Sequence, residues 1–129
     1  MTDRVDSLLP LTPAVLHILL AVAGGPRHGY AIAREVEAVT DGRVRMGPGT
    51  LYGSIQRMQD AGLIREADAR AAEAAAKKKP GGAASDPAPD GRAERRRYYE
   101  ATPLGVRVLR AEAARLQAVL RLVESRIGA

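Results

Sequence analysis

Residues 11–64 read LTPAVLHILLAVAGGPRHGYAIAREVEAVTDGRVRMGPGTLYGSIQRMQDAGLI. Punctuation and periodicity divide this stretch into three helices. Thr12-Pro13 opens the first, with a hydroxyl able to cap free N–H groups and a proline whose missing N–H costs nothing at the first helical position. Val15, Leu16, Ile18, Leu19, Leu20 and Val22 leave it little polar face, which predicts a largely buried helix ending at Gly24-Gly25-Pro26. A second helix is predicted from His28 or Gly29 to about Thr40, with Ile32, Val36 and Val39 at i, i+4, i+7 and Asp41-Gly42 as its stop. The third starts at Pro48 after Gly47, buries a narrow stripe of Leu51, Ile55 and Met58, and halts at Gly62.

Beyond Gly62 the pattern changes. Leu63 to Glu66 and Arg97 to Ala101 read as two short strands that would pair as an antiparallel hairpin. Between them, residues 67–95 are dominated by Ala, Pro, Gly and charge and have nothing to pack a core with, so this insert is expected to be flexible. A second Thr-Pro pair, Thr102-Pro103, starts a final helix that runs nearly to residue 129. In it Val106, Leu109, Ala113, Leu116, Leu120, Val123 and Ile127 recur at alternating steps of three and four, which makes a seam for another helix.

The fold class that follows is mainly α with a small antiparallel β-hairpin. Three helices followed by a two-stranded wing is the order of a winged helix-turn-helix. The expected division is a winged helix-turn-helix domain over residues 1–101, carrying the insert in its wing, and a dimerisation helix over residues 102–129.

Composition narrows the chemistry. The chain has 129 residues, 46% of them hydrophobic, with four Tyr and no Phe, Trp or Cys. An aliphatic core of one domain is expected, with no room for a second, catalytic one. Without cysteine there is no disulfide, thiolate nucleophile or cysteine-ligated metal, in keeping with a reducing cytoplasm. His17 has no carboxylate or second histidine at ligand spacing, and no serine has an evident base. Neither an enzyme, a metal site nor a cofactor is therefore expected. The first ten residues lack a signal-peptide pattern, and the run Ala14 to Ala23 is shorter than the roughly 20 residues that span a bilayer. No membrane association is expected.

The net charge of +5 is uneven. Residues 1–66 balance seven arginines against seven acidic residues, whereas residues 96–129 hold seven arginines against three glutamates. A basic balance suits a polyanion such as double-stranded DNA. On the third helix, with Leu51, Ile55 and Met58 inward, Thr50, Gly53, Gln56, Arg57 and Asp60 face outward and Tyr52 lies at the flank. Thr50 and Tyr52 can donate to phosphates, Gly53 permits close approach, and Gln56 and Arg57 have the reach and donors for base edges. In the wing Arg95, Arg96 and Arg97, with Arg92 nearby, form a basic cluster suited to phosphate or minor-groove contact. A winged helix used as a protein-interaction module, without sequence-specific DNA binding, is the competing reading. Of Tyr98 and Tyr99 one should point inward, and Tyr30 should pack at the start of the second helix.

The motifs His28-Gly29-Tyr30, Gly49-Thr50-Leu51-Tyr52, Gly62-Leu63-Ile64, and Tyr98-Tyr99 leading to Thr102-Pro103-Leu104-Gly105 closely resemble those of PadR-type regulators. The resemblance covers nearly everything except the insert. It implies a homodimeric transcription factor, often a repressor, that loses DNA affinity when a small molecule binds, and it points to the compact members with a single C-terminal helix. With no Trp or Phe, a pocket for a small apolar effector would be lined by Leu, Val and Ala, and a fully packed seam without ligand is equally open.

Overall fold

The computed structural model of the protein describes residues 4–67 and 97–128. Its elements are α1 (Arg4–Ser7), α2 (Pro13–Ala23), β1 (Arg27–His28), α3 (Gly29–Val39), α4 (Pro48–Asp60), β2 (Ile64–Ala67), β3 (Tyr98–Ala101) and α5 (Pro103–Ile127). The three helices expected within residues 11–64 are α2, α3 and α4. Both Thr-Pro starts cap as their chemistry requires: the Val15 N–H donates to Thr12 Oγ1 at 3.3 Å and the Gly105 N–H to Thr102 Oγ1 at 3.0 Å. Helix α3 uses a less common cap, the Nδ1 of His28, which accepts from the Ala31 N–H at 3.2 Å.

The wing has one more strand than expected. The sheet is antiparallel in the order β1-β3-β2, with Arg27 opposite Tyr99, His28 opposite Tyr98, and Glu66 also opposite Tyr99. A two-residue strand has no periodicity to reveal it, and here it runs directly into the cap of α3. The central strand, β3, buries Tyr99 and leaves Tyr98 half-buried, as alternation requires.

One core joins these elements. Ile18, Leu19 and Val22 of α2 meet Ile32 and Val36 of α3, Leu51, Ile55 and Met58 of α4, Leu63, Ile64, Tyr99, and Val108 of α5. Two inward expectations fail at its margins. Leu20 is exposed, because the buried arc of α2 is filled by Ile18, Leu19, Ala21 and Val22. Val39 is 60% exposed: it ends α3 beyond the reach of the core, and the residues that α3 buries are Gly29, Ala31, Ile32 and Val36.

The exit from α4 is held tightly. Gly62, at φ +82°, donates to the Gln59 carbonyl at 3.0 Å while the Leu63 N–H reaches the Met58 carbonyl at 2.9 Å, closing a Schellman motif. Thr102 then grips the same turn. Its N–H donates to the Leu63 carbonyl at 3.0 Å, and its hydroxyl donates to the Gly62 carbonyl. Gly105 sits so close that a Cβ would run into the Leu63 carbonyl oxygen. Arg4 of α1 adds a hydrogen bond to the Ala61 carbonyl at 2.6 Å.

A second tie fixes α5 to the chain entering α2. Glu112, 1% exposed, accepts from the Leu11 N–H at 2.9 Å and from Nε and Nη2 of Arg115. The hydrogen bond from Arg115 holds its carboxyl below the usual carboxylate range; burial opposes this, and the Leu11 N–H assists it.

Two predictions test these ties. Gly105→Ala should lower stability by about 1–3 kcal/mol in urea unfolding, because a backbone carbonyl cannot yield as a side chain does. Glu112→Gln should destabilise by roughly 1–3 kcal/mol at neutral pH. Because the folded pKa lies below the unfolded one, the contribution of Glu112 is complete above about pH 5 and is lost as pH falls from about 4.3 through the folded value. The stability gap between wild type and variant, followed from pH 7 to pH 3, should narrow accordingly.

Candidate nucleic-acid interface

Helix α4 divides cleanly. Leu51, Ser54, Ile55 and Met58 are buried, while Thr50, Tyr52, Gln56 and Arg57 are exposed and Gly53 is half-buried. Of the residues expected to meet DNA, the structure brings these five together on one solvent-facing helix. Arg57 leans back along that helix, with Nη2 3.3 Å from Ser54 Oγ. Gln56 donates through Nε2 to Asp60 Oδ1 at 3.1 Å.

The N-terminal end of α4 is open. Gly47 precedes it without a side-chain cap, Pro48 has no N–H, and a Cβ on Gly47 or Gly49 would meet nothing within 4 Å. The first turn carries no acidic side chain of its own to oppose the positive end of the helix dipole. Two cations missed in the sequence reading stand just before it. In Arg43-Val44-Arg45-Met46 the apolar pair packs against the core while Arg43 and Arg45 are exposed. Their signal was the alternation itself, a period of two in a segment bounded by turns.

Tyr52 does more than present a hydroxyl. It is 49% exposed, yet the edge of its ring covers Gly29 so closely that a Cβ there would clash with three of its atoms. The motifs around Gly29 and Tyr52 thus meet in space, locking α4 against the start of α3. Tyr52 also neighbours Tyr99. Burial raises the Tyr99 pKa, the neighbourhood of Tyr52 and Glu66 adds to that, and Arg97 opposes it, so the phenol stays neutral at physiological pH.

Between α3 and α4 lies a groove of about 570 Å³ lined by Tyr30, Arg34, Glu37, Met46, Pro48 and Tyr52 among others. Tyr30, in the first turn of α3, lines this groove and is 43% exposed rather than enclosed. Its ring stacks parallel to His28 at 6.4 Å, and the Arg34 guanidinium lies 5.7 Å from its centroid.

In the wing, Arg97 is exposed, 3.9 Å from the Glu66 carboxylate, and Arg65 pairs with Glu100 at 2.8 Å across the strands. Arg92, Arg95, Arg96 and the insert from residue 68 lie outside the described residues.

The seam of α5 is divided between two environments. Val106 and Leu109 are half-buried, and Leu109 packs on the core of its own chain; Ala113, Leu116, Leu120, Val123 and Ile127 are exposed, with Leu120 at 55% and Ile127 at 70%. Val119 and Leu122 are exposed apolar residues beside them. Among the described residues no helix is long and apolar enough to cross a membrane.

Comparison with known proteins identifies the fold and the family. A transcriptional regulator from Clostridium thermocellum superposes with a TM-score of 0.58, covering 98% of this chain and 97% of that one at 16% identity, which establishes the shared fold. A Streptomyces fradiae protein described as an uncharacterized 37.1 kDa protein in transposon TN4556 is 44% identical over 52 residues, 40% of this chain, and the match spans 14% of that longer protein. The pattern of the transcriptional regulator PadR-like family matches residues 15–80, half of the sequence, and the chain belongs to that family.

Proposed function

We propose that the chain is a homodimeric, sequence-specific DNA-binding regulator, a repressor that occupies an inverted-repeat operator through α4. The observation that carries this reading is the division of α4: a buried face locked by Tyr52 and the core, and an exposed face of Thr50, Gln56 and Arg57 beside a three-stranded wing. A helix so placed can enter a major groove, with its open N-terminus, Arg43 and Arg45 toward phosphates and Gln56 and Arg57 toward base edges. Arg95, Arg96 and Arg97 serve the wing's phosphate contacts in this proposal.

Dimerisation belongs to the distal half of α5. A row of exposed Leu, Val and Ile on a charged helix favours burial against an identical row, since each apolar side chain removed from water contributes about 25 cal/mol per Å². Two copies joined this way would present two α4 helices to successive major grooves, about 34 Å apart.

A gel shift with inverted-repeat DNA selected from a random pool tests the proposal. Binding should weaken steeply with salt, its logarithm falling linearly with the logarithm of salt concentration. Arg57→Ala should weaken specific binding by roughly tenfold or more while leaving stability within about 0.5 kcal/mol. Equal affinity for selected and random DNA would refute sequence-specific binding, and retained partner capture without DNA binding would favour the protein-interaction reading. For the dimer, Leu116→Lys combined with Leu120→Lys should convert a dimeric species to a folded monomer in sedimentation. An unchanged dimer would move the interface elsewhere.

A further inference from the structure

Asp60 stands where electrostatics oppose it. It is the last residue of α4, at the negative end of the helix dipole, where a cation is favoured and a carboxylate is not. It is also exposed. At about 100° per residue it projects opposite Leu51, Ile55 and Met58, in line with Gly49, Gly53 and Gln56, on the face proposed to meet a polyanion. An i, i+4 hydrogen bond on an exposed helix adds little stability of its own.

Its bond to Gln56 has a geometric consequence. A carboxylate has no donor, so only the amide nitrogen of Gln56 can face Asp60 Oδ1, as it does at 3.1 Å. The amide is thereby held one way round. Its second N–H and its Oε1 remain for another partner, a donor beside an acceptor. The major-groove edge of adenine asks for that pair, with N7 accepting and the N6 amino group donating. Gly49 and Gly53, earlier on the same face, bear no side chain to hold the helix off the groove.

We infer that Asp60 is a positioning residue for base readout: it orients the Gln56 amide to read an A·T pair and sacrifices some DNA affinity to do so. The inference rests on the DNA-binding reading above. It is tested with the full chain by selecting bound sequences from randomised duplex DNA, then measuring affinity for the preferred half-site with each A·T pair replaced in turn.

Gln56→Ala should lose about tenfold discrimination at one A·T pair. Asp60→Ala should lose the same discrimination at the same pair, whereas Asp60→Asn, which still offers an oxygen to the amide nitrogen, should keep it. Both Asp60 variants should bind random DNA at least as well as wild type, without a lower melting temperature, because a like charge has been removed. In the Gln56→Ala background, Asp60→Ala should change discrimination no further.

Asp60→Ala that retains the preference overturns the inference. So does equal loss in Asp60→Asn, which would assign the effect to charge, and so does a lowered melting temperature with weaker random-DNA binding, which would make the role structural. If wild type prefers a sequence and Gln56→Ala changes nothing, the inference falls while DNA binding stands. If wild type prefers no sequence, it is the reading of specific recognition that fails.

Discussion

The turn at Gly62-Leu63 is the constraint on which the remaining arrangement depends. Three elements meet there: the end of α4, the start of the wing at β2, and the start of α5. Thr102 donates from both its N–H and its hydroxyl to carbonyls of that turn, and Gly105 allows α5 to press onto the Leu63 carbonyl. The exposed face of α4, the wing and the exposed row of α5 are therefore held in one frame by backbone contacts. Backbone carbonyls are rigid partners. A larger residue at 105 would tilt α5 against α4 and alter the angle between the proposed reading surface and the proposed dimer surface.

The long helices were legible because their signals are local. Two Thr-Pro caps, a narrow apolar stripe at Leu51, Ile55 and Met58, and a glycine stop at residue 62 each state a boundary in the chain itself. Helix α1 and strand β1 were not legible, for a physical reason. Arg4–Ser7 makes a single turn and Arg27–His28 only two residues, both too short for periodicity, and what secures them is tertiary: Arg4 on the Ala61 carbonyl, His28 opposite Tyr98. Val39 matched the helical period yet lies outside the core, since periodicity assigns a face but not how far along that face the partner extends.

The candidate site was legible to a similar depth. Helical spacing placed Thr50, Gln56 and Arg57 on one face, but it could not reveal that Tyr52 is shared between that face and Gly29, or that Gln56 is tied to Asp60. The first is a contact between two helices and the second a particular side-chain hydrogen bond, neither of which a wheel projection contains. Arg43 and Arg45 lie in the connection between α3 and α4, where a four-residue alternation with Val44 and Met46 is too short to define an element. Phosphate contacts often come from such segments, held against a rigid scaffold by their apolar neighbours.

Helix α5 changes role along its length, and this organises the molecule. Its first half belongs to the domain: Gly105, Val108 and Glu112 are buried, the last tied to the Leu11 N–H. Its second half, from Leu116 onward, is exposed and carries Leu, Val and Ile that lie outside the core formed by the described residues. A helix of 25 residues is roughly 37 Å long, so the far end is a lever anchored at its base. Among the described residues, the core draws on α5 only as far as Glu112. The exposed apolar row is the surface on which the proposed dimer rests, and Glu112 is the last buried residue of α5 before it.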